Sequence, residues 1–196
     1  MLTVSDIAAG FSPWHIARAA GLTAYLLLFT VTTSGLLLSV RLTAAKYRPQ
    51  LVNIHQKSLY SLVFFTWLHG LILLFDKHVP FSLADILIPY WSDAYSWPLA
   101  LGILAFYALL AIALTTIPAI IKLSGPKLWR YAHYLAFPGY WLALYHGFTL
   151  GTDSGNGFIL TLYAITGGLT ACLTLLRIGY SLKKRGYYDA DTVRGR

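Results

Sequence analysis

Two apolar stretches decide how this chain is expected to fold: NIHQKSLYSLVFFTWLHG at residues 53–70 and WRYAHYLAFPGYWLALYHG at residues 129–147. Each is rich in large aliphatic and aromatic side chains and carries two histidines. As α-helices rising about 1.5 Å per residue, they would be about 27 and 28 Å long, close to the roughly 30 Å hydrocarbon core of a bilayer. We therefore expect both to lie within transmembrane helices, with imidazoles at membrane depth.

The composition of the whole chain also indicates a lipid environment. Of its 196 residues, 57% are hydrophobic and 11% are charged, whereas a soluble domain has roughly 25% charged residues. The net charge of +8 comes from short basic clusters between apolar stretches, so nucleic-acid binding is not expected. The single cysteine, Cys172, lies in an apolar segment, which excludes an internal disulfide and a metal site built from cysteines.

Five apolar segments are long enough to cross a membrane. They cover residues 14–40, 53–75, 97–121, 127–150 and 157–181. The first is longer than the apolar core of a signal peptide, and we interpret it as a retained helix. The sequence thus predicts an all-α fold, an integral membrane bundle of five transmembrane helices within a domain of residues 1–181. A short basic cytoplasmic tail at residues 182–196 would follow it.

The basic residues predict the orientation of this bundle. Thirteen of the 15 lysines and arginines fall on one side, whereas only Arg18 and Lys77 fall on the other, together with five of the seven acidic residues. Basic residues accumulate on the cytoplasmic side of membrane proteins. We therefore expect a multi-pass protein of the inner (plasma) membrane, in contact with membrane lipid, with its N-terminus outside and its C-terminus in the cytoplasm.

The four histidines of the two stretches form two pairs. His55 and His69 are 14 residues apart, and His133 and His146 are 13 apart, which is about 21 and 19.5 Å of helix rise. The two spans run in the same direction, so His55 matches His133 near the cytoplasmic end and His69 matches His146 near the outer end. Neutral imidazole binds iron, and a bis-histidine haem takes one axial ligand from each side. The pattern predicts two b-type haems, one above the other.

An isolated histidine in a membrane helix more often joins neighbouring helices by a hydrogen bond, and this explanation suits any one of the four. Four histidines that match in depth as two pairs favour the haem hypothesis. The 13-residue separation is a geometric difficulty, because about 100° per residue leaves His146 about 140° from His133 on an ideal helix. Pro138 and Gly139 lie between them, and a kink there would re-aim one half of the helix.

Two arginines are candidates for binding haem propionates. Arg130 lies three residues before His133, and Arg18 lies one turn inside the outer end of the first span. Contact with lipid phosphates explains either arginine equally simply, and the positive-inside pattern also explains Arg130. His15 and His78 fall at the outer surface, where an interfacial position and a metal-docking role both stay open.

The paired histidines on two parallel spans resemble the ferric reductase-like transmembrane domain. That superfamily includes NADPH oxidases, yeast-type ferric reductases and the bacterial haem-binding membrane subunit of the periplasmic methionine sulfoxide reductase system. The resemblance covers roughly residues 14–180, and the continuation FTLGTDS is similar to small stand-alone bacterial members. It implies that His55 and His133 hold an inner haem and that His69 and His146 hold an outer haem. Electrons would pass from a cytoplasmic or membrane donor to an outside acceptor.

The sequence differs from the oxidases and yeast-type reductases after Tyr180. Sixteen residues follow, in which neither a glycine-rich dinucleotide fingerprint nor a flavin domain fits. We therefore expect the donor to be a separate protein, a bound flavin or a quinol, and the acceptor to be ferric iron, a periplasmic redox protein or oxygen. The tail residues Lys183, Lys184 and Arg185 would lie against anionic lipid or dock an acidic partner.

Two other functions stay open on the sequence alone. The same histidines would also suit a non-redox metal-ion or proton transporter, although all seven acidic residues lie outside the predicted spans and such a transporter needs acidic groups within them. The chain would also suit an assembly subunit whose haems are mainly structural. The favoured hypothesis is an electron-transfer cytochrome b that acts as the membrane module of a reductase system.

Overall fold

The structure, a computed structural model, describes residues 12–40, 42–77, 79–93 and 96–194, with the backbone alone for residues 96 and 184–194. His78 lies outside the described residues, and so do the side chains of Lys184 and Arg185. The described chain folds into helices α1 (Pro13–Val40), α2 (Arg48–Ile72), α3 (Leu83–Leu87), α4 (Ser96–Thr115), α5 (Pro118–Tyr134), α6 (Ala136–Leu150) and α7 (Gly157–Arg194). These residues form no strand, so the all-α prediction is confirmed for them.

Four helical segments of the described chain are long and apolar enough to cross a membrane. They are Pro13–Val40, Ala45–Phe75, Trp97–Thr115 and Gly157–Lys183. Short 3-10 turns at Ala45–Tyr47 and Leu73–Phe75 extend α2 at its two ends. Many large apolar side chains point away from the bundle, such as Tyr60, Leu123 and Phe158, which are 76%, 90% and 75% exposed. The protein is therefore a multi-pass membrane protein whose outer surface contacts lipid.

The third predicted span, residues 97–121, extends beyond the end of the corresponding helix. Helix α4 ends at Thr115, and Ile117 has an extended ψ of 126°. A residue before proline avoids the helical conformation, so Pro118 interrupts the helix. Pro118 instead starts α5, because the first position of a helix needs no N–H donor.

The predicted separator at residues 124–126 lies inside α5. Gly125 has a φ of 81°, in the left-handed region that glycine adopts without steric strain, and Pro126 follows it. The helical backbone that leads to His133 and His146 therefore starts again after Gly125. The prediction of a fourth span starting near residue 127 agrees with this break.

The fourth predicted span is divided into two helices at Leu135. Pro138 has no N–H to donate to the carbonyl of Tyr134, and the N–H of Leu135 bonds to the carbonyl of Ala132 at 2.9 Å, as in a 3-10 turn. Leu135 nevertheless keeps helical angles, φ −64° and ψ −16°. Because α5 and α6 have only 17 and 15 residues, neither counts as a spanning helix by itself, and a fifth span is not established.

Specific contacts fix the directions of the helices. Gly21 and Gly35 of α1 lie against His69 and His55 of α2, so α1 and α2 are antiparallel. Helices α1 and α7 are parallel, because Arg18 contacts Asp153 just before α7 and Tyr25 contacts Thr166 within it. Helix α6 returns antiparallel to α7 through a short loop, with Phe148 packed on Tyr163. It follows that α2 and α6 run in the same direction, as the histidine pairing requires.

A buried chain of hydrogen bonds joins α1, α6 and α7. The hydroxyl of Thr166 donates to the carbonyl of Leu162 at 2.7 Å, so its oxygen is left to accept from the Tyr25 hydroxyl. The Tyr25 oxygen in turn accepts from the hydroxyl of Tyr140 at 3.2 Å. Tyr140 is fully buried, so each hydroxyl in this chain depends on its neighbour.

The direction of this chain makes its two tyrosines unequal. Replacing Tyr25 with phenylalanine leaves the buried Tyr140 hydroxyl without its acceptor and Thr166 without its donor. We expect the free energy of unfolding to fall by about 1–3 kcal/mol. Replacing Tyr140 with phenylalanine leaves the bond from Tyr25 to Thr166 intact, so the loss should be smaller. Denaturant unfolding of both variants in the same detergent measures the difference, and equal losses would contradict the derived direction.

Candidate functional site

A large cavity runs along the inside of the bundle and is lined by the four predicted histidines. It extends from the level of Arg18 and Asp153 to the level of Arg130 and Arg177, and its volume is about 1400 Å³. Most of its other lining residues are apolar. A pocket for one drug-sized ligand typically has about 300–1,000 Å³, so this cavity has room for more than one large apolar ligand.

The rings of His69 of α2 and His146 of α6 lie close together in this cavity. Their ring centroids are 6.2 Å apart and their planes are 80° apart. If each imidazole places a ring nitrogen about 2.0–2.1 Å from one metal ion, with the ring centre about 1.1 Å behind that nitrogen, opposed rings have centroids about 6.2–6.4 Å apart. The two rings therefore have the separation expected for axial ligands on opposite sides of one metal ion.

His55 and His133 line the same cavity. His133 and His146 thus both face the cavity side of their helices, despite their 13-residue separation. The 3-10 turn at Leu135 acts in the needed direction, since a 3-10 residue turns about 120° rather than about 100°. The proline kink provides a further change of direction between the two halves.

Every one of the four imidazoles is held by a backbone carbonyl through its Nδ1 atom. The acceptors are Val31 for His55 (2.9 Å), Ala17 for His69 (2.8 Å), Trp129 for His133 (3.0 Å) and Pro98 for His146 (2.9 Å). A carbonyl oxygen only accepts, so each Nδ1 carries the proton and each Nε2 keeps a free lone pair. This is the arrangement that orients metal-bound histidines in proteins.

The held rings differ in their surroundings. Three of them bond to a neighbouring helix, whereas His133 bonds within its own helix and lies against the ring of Trp129, with centroids 4.4 Å apart. His55 has a second partner, because Ser34 donates to Val31 at 2.9 Å and its oxygen lies 3.1 Å from the His55 Nδ1. His133 is therefore the least firmly anchored of the four.

Three glycines that the sequence analysis did not single out make room for the rings. A Cβ atom on Gly21 would lie 2.8 Å from His69, one on Gly102 would lie 2.5 Å from His146, and one on Gly35 would lie 3.2 Å from His55. A signal for two of them was present in the sequence. Gly21 and Gly35 are 14 residues apart, the same spacing as the two histidines that they face.

The structure gives both candidate arginines partners within the protein. The Arg18 Nε donates to the carboxylate of Asp153 at 3.1 Å, and a second guanidinium nitrogen contacts the other carboxylate oxygen. The Arg130 Nε donates to the carbonyl of Pro126 at 3.3 Å. Arg18 and Asp153 remain 31% and 47% exposed in their side chains, so their ion pair is open to a competing anion from the cavity.

His15 is exposed and hydrogen-bonded to Ser12 at 2.7 Å, and it does not line the cavity. Within the described residues, no group of three or more histidine, cysteine or acidic side chains could hold a metal ion. A haem iron takes only two ligands from the protein, because the porphyrin supplies the other four. The two histidine pairs, with two possible ligands each, are smaller than such a group.

Comparisons with protein-family models, with curated proteins and with solved structures gave no match.

Proposed function

We propose that this chain is a di-haem b-type cytochrome that moves electrons across the membrane as the membrane module of a reductase system. The observation that carries the proposal is the His69–His146 pair, whose 6.2 Å centroid separation suits two axial ligands of one iron. The shared cavity and the anchored Nδ1 atoms extend the argument to His55 and His133. When bound, haem would supply one-electron oxidation and reduction.

The residues of this chain would bind the haems and shield them. The Nε2 atoms of His55 and His133 would ligate the inner haem, and those of His69 and His146 the outer haem. The carbonyls behind the rings would fix their tautomers and raise their basicity as ligands. The apolar lining would exclude water, and Arg18 and Arg130 at opposite ends of the cavity would be available to propionates.

A five-span topology is part of this proposal. Residues 126–150 follow one another in helical conformation apart from the local break at Leu135. At about 1.5 Å per residue these 25 residues would cover about 37 Å, which is enough to cross a bilayer with a kink. With the basic clusters on the cytoplasmic side, the N-terminus would lie outside and the His55–His133 pair would lie nearer the cytoplasm, in an inner (plasma) membrane.

The resemblance to the ferric reductase-like transmembrane domain is retained as part of the proposal, supported by paired histidines on two parallel helices. The donor would be a separate protein, a flavin or a quinol, and the acceptor would be ferric iron or a periplasmic redox protein.

The direct test is purification after expression with ample haem. We expect about two b-type haems per chain, reducible by dithionite and low-spin, as bis-histidine ligation requires. In liposomes, a reductant trapped inside should then reduce an impermeant ferric chelate outside. A colourless chain would refute the proposal, and ion flux through haem-free protein would favour the transporter hypothesis. Reducible haems that no outside acceptor reoxidises would favour the assembly subunit.

The Arg18–Asp153 ion pair predicts two potential shifts of opposite sign. A cation near the outer haem favours its more negative, reduced form, so Arg18→Gln should lower the midpoint potential of that haem. Asp153→Asn removes the competing carboxylate and should raise it. We expect shifts of about 20–60 mV, which correspond to about 0.5–1.4 kcal/mol of charge interaction. Redox titration of the two variants measures both, and shifts of the same sign would exclude a propionate role for Arg18.

A further inference from the structure

Three of the four imidazoles share one mode of attachment to a neighbouring helix. In each, the accepting carbonyl belongs to the residue four positions before a glycine: Ala17 before Gly21, Val31 before Gly35, and Pro98 before Gly102. The ring lies across that glycine, in the space that a Cβ atom would fill. We call these three carbonyl–glycine units imidazole seats.

A side chain on a seat glycine would displace the ring that lies on it. Contacts below 3.0 Å are essentially never seen for real Cβ atoms. An added Cβ would lie 2.5 Å from the His146 ring at Gly102 and 2.8 Å from the His69 ring at Gly21. The ring has little freedom to retreat, because its Nδ1 is bonded to a carbonyl of the same helix turn. It would have to rotate about its bonds or lose that hydrogen bond.

The seats are distributed unequally between the two pairs. Both rings of the His69–His146 pair lie on tight seats, and their planes are 80° apart. Of the other pair, His55 alone has a seat, at the looser Gly35, where the nearest ring atom would be 3.2 Å from a Cβ. The angle between the ring planes of the His69–His146 pair is therefore set by seats on two different helices, α1 and α4.

We propose, on the basis of the proposed function, that Gly21 and Gly102 are positioning residues that fix the crossed ring planes of the outer haem's axial ligands. The relative orientation of two axial imidazoles sets the d-orbital splitting of a low-spin ferric haem. Crossed planes give a highly anisotropic EPR signal, and parallel planes give a less anisotropic one. Each seat thus controls the electronic state of the outer haem without touching it, as ligand-orienting groups do at other metal sites.

The chain offers two matched controls on α7. Gly167 is buried, and a Cβ there would lie 3.1 Å from the end of the flexible Leu144 side chain, so Gly167→Ala adds crowding without touching an imidazole. Gly168 is exposed and has nothing within 4 Å of the added Cβ. Neither glycine lines the cavity.

The test is to compare haem content and EPR spectra of the wild type with those of the five Gly→Ala variants at positions 21, 35, 102, 167 and 168. We expect the changes at Gly21 and Gly102 to reduce the affinity for the outer haem by about 10–100-fold or to shift its highly anisotropic signal. The inner haem signal, retained in the same sample, reports that the bundle is folded. Gly35→Ala should affect the inner haem alone and more weakly, and both controls should match the wild type.

Two results would overturn the assignment of the seats while leaving the proposed function intact. One is an outer-haem signal in Gly102→Ala identical to that in Gly168→Ala. The other is simultaneous loss of both haems in Gly21→Ala and Gly102→Ala, which would indicate general destabilisation. A wild-type chain that binds no haem would overturn the proposed function and this inference together.

Discussion

Replacing His146 with alanine is expected to remove the outer haem and keep the inner one, so that the purified protein holds about one haem per chain instead of about two. The reason is geometric, because alanine would leave the position of the His146 ring, whose centroid is 6.2 Å from that of His69, without an imidazole. Pyridine haemochrome absorbance per mole of protein measures the ratio. The control is His15→Ala, because His15 is exposed and lies outside the cavity.

The pairing itself is tested by combining substitutions. The double variant His69→Ala/His146→Ala should lose no more haem than either single variant, because both changes remove the same haem. His146→Ala with His133→Ala should remove both haems. Such non-additivity within a pair and additivity between pairs is expected for residues that act as a unit. Retention of two haems in any of these variants would contradict the assignment of that histidine.

The sequence was sufficient to predict the all-α fold, and it paired His69 with His146, whose rings lie close together in the structure. Helix rise and charge asymmetry depend only on position along the chain, so the depth match of His69 with His146 could be calculated before any contact was known. The helix breaks were less predictable. Pro118 was placed inside a span because the apolar composition continues past it, although a proline outweighs composition at the backbone level.

The supports of the histidines could not be predicted, since they are contacts between distant parts of the chain. Nothing in the sequence around His146 points to the carbonyl of Pro98, because any exposed backbone oxygen would serve. Arg18 was a candidate for binding propionates or lipid phosphates, and its partner in the structure, Asp153, is 135 positions away. The glycine spacing on α1 was visible, but its meaning depends on Gly21 and Gly35 packing directly against the two histidines of α2, which only the structure establishes.

Replacing Pro138 with alanine is expected to remove the inner haem. The new N–H can donate to the carbonyl of Tyr134, which would straighten the path between α5 and α6. On a regular helix, His133 would then lie about 140° from His146. Straightening would rotate α5 and α6 relative to each other, and the two helices are held in place to different degrees. His146 is bonded to α4 and Gly139 lies against Ala108 of the same helix, whereas His133 is bonded only within α5. The α5 half should therefore turn, and His133 should leave the cavity.

Haem content and the two EPR signals of Pro138→Ala measure this effect, with loss of the inner signal and retention of the outer one as the expected result. Pro49→Ala is the control, because Pro49 is exposed, lies in the first turn of α2 and is outside both α5 and α6. Inserting one alanine after Leu135 in the Pro138→Ala chain gives a 14-residue separation, which leaves an offset of only about 40° on a regular helix. This insertion should restore inner-haem binding. An unchanged inner haem in Pro138→Ala would contradict the proposed role of the proline kink in bringing His133 to the cavity.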